Sequence, residues 1–361
     1  MKRYPSKGFT IIELLVVVSI IALLVGILLP AIGKARQGAM QTQSVSNIRQ
    51  VGTTLSTYSS EYNDKHVTFV VDNLGAYGNS GAEAFANYAT QTGSEHPKMW
   101  LGIDDGVLWY YVPPEETNVP FNFETRFGVF RLPNAMILAD YMNGKFYDPV
   151  YYAPKDSAVI AAAEEDFDYP SSFPGFDTES VFYSSYCLSP AAMFNPAVFS
   201  KAGAQDVYFT DPYAMDGGFK APTLGQVQYP DLKTWVCEHH WLQNRRFECN
   251  DHFGAGQGTY NGCEPYYFNQ SILSNPVTLF MDMHTGTLGV QGAMDSSKRV
   301  VTQTGDAHHG LWSIDVYPGS SYEEYGGGGY YSAQGFDWSN TSFHILTIDG
   351  IRGRDVVSGV H

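Results

Sequence analysis

The stretch GFTIIE at residues 8–13 leads directly into LLVVVSIIALLVGILL at residues 14–29, a run with no charged side chain and one hydroxyl. Together the two stretches hold about 20 apolar residues, which is long enough for one helix to cross a bilayer. Three basic residues, Lys2, Arg3 and Lys7, precede the run. Basic flanks stay on the cytoplasmic side, so we expect residues 1–8 in the cytoplasm and everything after the span outside.

Glu13 is the one residue that a plain membrane anchor does not need. It lies in the apolar segment, where an isolated carboxylate is costly unless it is paired or neutralised. A charged residue at this depth predicts a function, and the first question is which cation it meets.

The run KGFTIIELLVV at residues 7–17 resembles the class III leader and helix start of type IV pilins and type II secretion pseudopilins. The resemblance implies that a prepilin peptidase cuts after Gly8 and that the new terminal residue, Phe9, is N-methylated. It also implies that Glu13 meets the terminal amine of Phe9 on a neighbouring subunit, so that assembly supplies the cation. A basic leader, a Gly-Phe junction and a carboxylate at a fixed offset seldom coincide, so the motif is specific.

A secretory signal peptide or a simple signal anchor is the alternative interpretation. A secretory signal has a shorter apolar core of about 7–15 residues, followed by a small-x-small cleavage site. Here the apolar run is longer, and LPAIGK at residues 29–34 continues a helical pattern. A simple anchor also leaves Glu13 unexplained, so we favour the prepilin-type segment.

A helical stalk is predicted to continue beyond the membrane span. One apolar stripe recurs there at steps of three and four, which is the spacing of one helix face; its members are Val45, Ile48, Val51, Leu55, Tyr58 and Tyr62. Pro30 lacks an amide donor, so we expect it to kink or loosen the helix locally. The sequence NDK at residues 63–65 is the expected helix exit.

Two further segments resemble a particular group of large prepilin-type proteins, found mainly in planctomycete-like bacteria. NIRQVG at residues 47–52 is similar to the "NNLKQIG"-like segment that follows the anchor in that group. The terminal Asp349-Gly350 partly matches its histidine-to-Asp-Gly signature, although His344 is closer than usual, and Ser44 stands where the group often has cysteine.

The chain of 361 residues divides into a leader (residues 1–8), a transmembrane and stalk helix (9–63) and an extracytoplasmic globular head (64–361). The whole chain contains 25 Tyr, 22 Phe and 36 Gly. This composition is typical of ordered strands and loops rather than of disorder. We therefore predict an α+β fold, in which a long apolar N-terminal helix packs on an antiparallel β-sheet-rich head with large loops.

Short β-branched and aromatic runs bounded by Gly, Pro, Asn and Asp predict the strands of the head. The predicted strands are His66–Val71, Val107–Val112, Arg126–Leu132, Ala135–Tyr141, Val150–Ala153, Val207–Thr210, Thr234–Cys237, Val277–Met283, Val300–Gln303, Leu311–Tyr317 and Phe343–Ile348. Short helices are predicted at Gly81–Thr90 and Ser157–Glu165.

The head is strongly acidic. Removing the three basic residues of the leader takes the formal charge from −16 to −19, and residues 9–63 carry three basic and two acidic side chains, so residues 64–361 hold −20. A surface of this sign repels phosphate backbones, so we expect no nucleic acid among the partners.

All four cysteines, Cys187, Cys237, Cys249 and Cys263, lie in the part of the chain that we expect to be exported. An oxidising exterior favours disulfides, and four cysteines allow three pairings that sequence does not distinguish. A zinc site built from CEHH at residues 237–240 with Cys249, His252 and Cys263 is the alternative, but it lacks a paired Cys-x-x-Cys knuckle. Disulfides are favoured.

Calcium is the other metal that the head could bind, because several turns carry acidic residues: Asp104, Asp105, Asp211, Asp216 and Asp282. Type II secretion major pseudopilins bind calcium in their heads, and the resemblance extends that expectation here. No EF-hand pattern is present, so solvated turns are favoured and we expect no cofactor.

No enzymatic motif is present: the sequence has no Gly-x-Ser-x-Gly elbow, no His-Glu-x-x-His helix and no phosphate loop. The paired His308 and His309 have no catalytic partner in the sequence pattern, and the Tyr- and Gly-rich residues 325–331 are typical of a flexible loop. We expect a structural protein rather than an enzyme.

The resemblance implies a subunit of a type IV pilus or type II secretion pseudopilus, of the minor or tip kind because the head is so large. Its expected partners are other pilin or pseudopilin subunits, prepilin peptidase, the inner-membrane assembly platform and, before assembly, membrane lipid. It would span the inner membrane once, with a periplasmic or extracellular head, and reach the cell surface in a filament. The alternative is an anchored adhesion or binding protein that uses the leader only for export.

Overall fold

The computed structural model describes residues 9–68, 71–79, 81–92, 100–104, 107–111, 136–145, 147–171, 184–200, 210, 212, 215–238, 275–306, 310–312, 343–344 and 346–357. Five helices and six strands lie in these ranges. The helices are α1 (Ile11–Glu61), α2 (Gly81–Thr92), α3 (Met136–Ala139), α4 (Ser157–Ala162) and α5 (Val290–Thr304). The strands are β1 (Trp100–Asp104), β2 (Val107–Tyr111), β3 (Tyr186–Leu188), β4 (Thr234–Glu238), β5 (Val277–Phe280) and β6 (Thr285–Thr287).

Helix α1 is the longest element, with 51 residues in one continuous helix that includes Pro30. Residues 14–29 are rich in Leu, Ile and Val and carry no charge, so the sequence around Pro30 favours an uninterrupted apolar helix. The continuity through Pro30 leaves the expected bend untested. The helix ends where predicted, because Asn63 and Asp64 adopt positive φ angles of 57° and 59°, a conformation that stops a right-handed helix.

A four-stranded antiparallel sheet in the order β3-β4-β5-β6 forms the centre of the head. The register places Cys187 opposite Cys237 between β3 and β4, and Leu279 opposite Val236 between β4 and β5. All residues of β3, β4 and β5 are buried. The α+β prediction is therefore confirmed: a long N-terminal helix accompanies an antiparallel sheet.

The sheet is covered on both faces. The C-terminal half of α1 packs on one face, where Ile48, Val51 and Leu55 are almost completely buried with the strands in one core. Adjacent strand residues point to opposite faces. Cys237 therefore faces away from α1, toward His344 in the C-terminal segment. The described residues of the C-terminal segment, 343–344 and 346–357, thus pack against this second face of the sheet, where Asp355 N donates to Leu232 O at 3.0 Å.

Three predicted strands are wrong because their described residues are helical. Residues 136–141 form α3 and most of the 3-10 turn Asp140–Met142, residues 150 and 151 belong to the 3-10 turn Pro149–Tyr151, and residues 300–303 belong to α5. Short apolar runs suit a buried strand and a buried helix turn equally well, so periodicity does not separate them. The predicted helices at residues 81–90 and 157–165 are confirmed as α2 and α4.

The strands predicted at 107–112 and 234–237 are confirmed as β2 and β4, and the first four residues of the strand predicted at 277–283 form β5. Strands β1 and β2 form a separate hairpin. The strands predicted at 66–71 and 343–348 are also wrong, because their described residues form irregular backbone, turns and bends. The only pairing found near them among the described residues is isolated bridges, Lys65 with Thr223 and Trp312 with Thr347. The strand predicted at 126–132, and most of those at 207–210 and 311–317, lie outside the described residues.

Candidate assembly site

The N-terminus of α1 is closed by a capping box. Thr10 is the N-cap, and its hydroxyl accepts the backbone N–H of Glu13 at 3.3 Å. In return the Glu13 carboxylate accepts the Thr10 N–H at 2.9 Å and the Thr10 hydroxyl at 2.8 Å, both on Oε2. This reciprocal arrangement satisfies helix N–H groups that have no partner within the helix. Glu13 therefore already has a local role before any second subunit is considered.

The apolar part of α1 stands clear of the head. Every residue from Phe9 to Ala39 is exposed, including Phe9 at 69%, Ile11 at 84% and Leu29 at 64%. Among the described residues, α1 is the one helix long and apolar enough to cross a membrane, and none of its most apolar window is buried. A helix with this surface requires lipid or other apolar helices around it.

The head attaches to the stalk at Ser44, the first fully buried residue of α1. Its hydroxyl donates to Glu238 Oε1 at 2.6 Å and lies 2.9 Å from the Tyr186 hydroxyl. The other carboxylate oxygen of Glu238 accepts the Val277 N–H at 2.9 Å. Ser44, Glu238 and Tyr186, here termed the stalk–head latch, therefore join α1 to β3 and β4, while Val277 brings in β5. Burial raises the pKa of Tyr186, so its phenol stays neutral.

One turn further along, α1 approaches the sheet very closely. Asn47 Nδ2 donates to Tyr152 O at 3.1 Å, and Gly52 faces β5. A Cβ atom at Gly52 would lie 2.4 Å from Leu279 Cδ2. The glycine therefore permits a close contact between helix and sheet that a larger residue would obstruct. This contact packs β5 of the head directly against the C-terminal half of α1.

A buried ion pair holds the C-terminal segment to the sheet. Lys233 precedes β4, and its Nζ lies 2.8 Å from Asp355 Oδ2, with both side chains fully buried. The ammonium also donates to Ser189 Oγ at 2.9 Å and Thr347 Oγ1 at 2.8 Å. Its three N–H donors therefore have three acceptors. The pair joins elements that are far apart in sequence.

The carboxylate of this pair is equally well satisfied. Asp355 Oδ2 also accepts the Thr234 N–H at 3.0 Å, and Oδ1 accepts the His344 N–H at 2.9 Å and the Thr347 hydroxyl at 2.5 Å. Burial lowers the pKa of Lys233, and the Asp355 charge opposes that shift. A buried pair with this complete set of partners has a structural role, because it offers no open position to a substrate.

Two buried histidines flank the same region. Trp235 Nε1, which is only a donor, contacts His66 Nε2 at 2.8 Å, and His66 Nδ1 lies 2.7 Å from Val67 O, which is only an acceptor. His66 is therefore neutral and protonated on Nδ1. Burial lowers its pKa to about 4, and burial together with Lys233 lowers the pKa of His344.

The structure describes two of the four predicted disulfide cysteines. Cys187 and Cys237 lie opposite each other in neighbouring strands as buried thiols, and Cys249 and Cys263 lie outside the described residues. So do all three histidines of the alternative zinc site, His239, His240 and His252, and Gly8 of the cleavage motif. Among the described residues, no group of three or more His, Cys, Asp or Glu lies close enough to hold a metal. Asp282, in one of the acidic turns considered for calcium, has its Oδ1 2.5 Å from His284 Nδ1.

Sequence reasoning placed Glu13 correctly at the start of the helix but missed the capping box with Thr10. The T-x-x-E spacing at residues 10–13 was the available signal. It also missed the latch and the Lys233–Asp355 pair. A lysine just before a buried strand is a weak signal, because its partner lies 122 residues away.

Residues 3–29 match the family model of the prokaryotic N-terminal methylation motif. This motif is the prepilin-type cleavage and methylation signal of type IV pilins and pseudopilins. No curated protein and no solved structure matches the chain. The match covers Arg3 and Lys7 of the leader, the capping box and the apolar start of α1, and agrees with an exposed helix that carries Glu13 at its start.

Proposed function

We propose that this protein is a structural subunit, of the minor or tip kind, of a type IV pilus or a type II secretion pseudopilus. Prepilin peptidase cleaves it after Gly8, and the new N-terminal Phe9 is methylated. The apolar helix then holds the protein in the lipid of the inner membrane with its head outside. The inner-membrane assembly platform transfers it from there into a filament of other pilin or pseudopilin subunits.

The observation that carries this proposal is the bare half of α1. Residues 11–43 extend beyond the stalk–head latch for about 50 Å at a rise of about 1.5 Å per residue, and the apolar surface begins at the capped N-terminus. Such a surface is satisfied first by lipid and later by the helices of neighbouring subunits. The capping box gives Glu13 a local role, but a helix cap alone does not require a charged residue in an apolar anchor.

Glu13 has room for an intermolecular partner. Both hydrogen bonds from Thr10 end on Oε2, and within the described residues no donor reaches Oε1. No ion pair among these residues involves Glu13 either. A carboxylate in lipid gains most from a cation, and a methylated terminal amine of Phe9 on the next subunit would supply one. The capping box would hold Glu13 in position for that contact.

The minor or tip assignment rests on the head. Residues 64–361 carry a formal charge of −20, so close packing of many copies would place like charges side by side. A head of this size is also larger than a repeating subunit needs. A few copies among other subunits avoid both costs.

The test separates the charge of Glu13 from its capping role. Glu13→Gln keeps an oxygen that accepts the Thr10 N–H but removes the charge. Thr10→Ala removes the two hydrogen bonds of the Thr10 hydroxyl, and keeps the charge and the backbone N–H that donates to Glu13. Each variant is expressed as the full chain, and its share in sheared filaments is compared with its share in the membrane. We expect Glu13→Gln and Glu13→Ala to remain in the membrane while Thr10→Ala enters filaments.

Two results would contradict the proposal. If Glu13→Gln enters filaments as efficiently as the wild-type protein, the charge makes no assembly contact. Absence of the native protein from sheared filaments would favour the alternative, an anchored binding or adhesion protein. Cleavage of all variants is followed by their electrophoretic mobility, which ensures that a processing defect is not mistaken for an assembly defect.

A further inference from the structure

Cys187 and Cys237 occupy directly opposite positions of β3 and β4. Residues at opposite positions of antiparallel strands project from the same face, with Cα atoms about 4.5–5.5 Å apart. A disulfide needs a Cα separation of about 4.4–6.8 Å, so the backbone already meets its requirement. Both side chains are completely buried, on the face that receives the C-terminal segment.

We propose that Cys187 and Cys237 form a cross-strand disulfide in the exported head. The inference rests on the export described under Proposed function, because only an oxidising compartment retains such a bond. It selects one of the three pairings that four cysteines allow, and leaves Cys249 and Cys263 for each other.

The chemistry is thiol–disulfide exchange with a disulfide donor, either a small-molecule disulfide or a disulfide-bearing oxidoreductase. The thiolate of one cysteine attacks the donor and forms a mixed disulfide, which releases one donor thiol. The thiolate of the second cysteine then attacks the protein sulfur of that mixed disulfide, and the second donor thiol leaves. Two protein thiols are oxidised, one donor disulfide is reduced to two thiols, and the two protons move to the donor sulfurs.

The burial of both sulfurs sets the order of events. Exchange requires a thiolate in contact with the donor, and burial raises the pKa of Cys237. Both properties make the folded thiols unreactive, so the bond must form before the C-terminal segment closes over the sheet. The bridge would then link β3 to β4. Ser189 directly follows β3 and Lys233 directly precedes β4, and both residues belong to the buried ion-pair network.

Digestion with trypsin separates the proposed Cys187–Cys237 pairing from the two alternative pairings. Its sites place Cys187 in the peptide 156–201, Cys237 in the peptide 234–245, and Cys249 with Cys263 in the single peptide 247–298. The full chain is taken from membranes, its thiols are blocked with iodoacetamide in denaturant, and it is digested without reductant. Mass spectrometry is expected to find 156–201 linked to 234–245, with the link lost on reduction. In Cys187→Ser, peptide 234–245 should instead be recovered with a blocked thiol.

Two results would overturn the pairing. One is recovery of 156–201 and 234–245 as separate blocked peptides from a head that added protease can reach from outside the membrane. The other is a link from either peptide to 247–298. If the head is protected from protease, export itself fails, and a second arm then decides the pairing. The full chain is unfolded in urea with detergent and refolded with reduced and oxidised glutathione, where the 156–201 to 234–245 link is again expected and its absence contradicts the inference.

Discussion

Lys233 and Asp355 form an ion pair 2.8 Å apart in which neither side chain has any exposed surface. One residue precedes the central strand β4 and the other lies near the end of the described chain. Together with Ser189 and Thr347 they use all three ammonium donors. The pair therefore fixes the C-terminal segment against the face of the sheet that α1 does not cover.

Removing the ammonium should destabilise the head strongly. Lys233→Met leaves the Asp355 carboxylate buried without a cation, and breaking such a pair costs about 3–5 kcal/mol. The measurement is urea unfolding of the full chain in detergent, followed by the fluorescence of the buried Trp235 and Trp312.

The double variant Lys233→Met/Asp355→Asn should recover part of the loss, because no unpaired charge remains and the amide oxygen still accepts a backbone N–H. Lys298→Met, at an exposed position of α5, is the control, and equal unfolding of the two lysine variants would contradict the ion pair's role.

The stalk–head latch predicts a smaller loss. Ser44→Ala removes the donor that reaches Glu238 Oε1 at 2.6 Å, and a buried acceptor deprived of its partner costs about 1–3 kcal/mol. Thr57→Ala changes an exposed hydroxyl on the same helix, which bonds only the Thr53 carbonyl among the described residues. The free energy of unfolding should fall for Ser44→Ala and stay nearly constant for Thr57→Ala. Similar values for both variants would mean that the latch contributes nothing.

Two glycines of α1 should respond in opposite directions to alanine. At Gly52 the new Cβ would lie 2.4 Å from Leu279 Cδ2, whereas at Gly38 no atom lies within 4 Å. Gly52→Ala should therefore cost about 1–3 kcal/mol through overpacking, and Gly38→Ala should stabilise the helix by up to about 1 kcal/mol. Thermal unfolding gives both values. Adding Leu279→Val should relieve part of the Gly52→Ala cost, and a stabilising Gly52→Ala would contradict the close contact.

Acid should destabilise the head through His66. Its pKa is lowered to about 4 in the folded protein by burial, against about 6.5 in an unfolded chain. The unfolded state therefore binds more protons between these values, so stability is complete above the unfolded pKa and is lost as the pH falls from about 6.5 toward 4. For this one group the loss between about pH 7 and about pH 5 is about 2 kcal/mol.

The variant His66→Gln isolates that contribution. Glutamine does not titrate, and its amide oxygen can accept the Trp235 indole N–H, so its unfolding free energy should depend less on pH between about 7 and about 5. His344, whose pKa burial also lowers, remains in both proteins and its effect cancels in the comparison. Parallel pH profiles of the two proteins would show that His66 is not buried in its neutral form.

The sequence was most informative where local pattern decides structure. An uncharged apolar run and a stripe at helical spacing predict α1, and the NDK stop at residues 63–65 predicts its end. The β-branched run beginning at Val277 predicts β5, because its flanking Asn and Pro bound a strand. The short apolar runs at 135–141 and 300–303 were wrongly predicted as strands, because one or two buried helical turns have the same composition as a strand.

Long-range relationships were not predictable in this way. The Ser44–Glu238 bond and the Lys233–Asp355 pair join residues 194 and 122 positions apart, and neither has a sequence signature. Their energetic value depends on burial, which only the packed structure supplies. At the N-terminus the position of Glu13 was informative from sequence alone, but its hydrogen bonds with Thr10 emerged from the geometry.

The most direct test of the central claim, that this chain is a processed filament subunit, is the mass of its N-terminal tryptic peptide. Cleavage by trypsin after Lys7 and Lys34 releases residues 8–34 from an uncleaved precursor, whereas the processed protein yields residues 9–34. Protein recovered from sheared filaments should give the peptide that begins at Phe9 and carries one methyl group on its terminal amine. Recovery of the unmethylated peptide that begins at Gly8 would contradict the account.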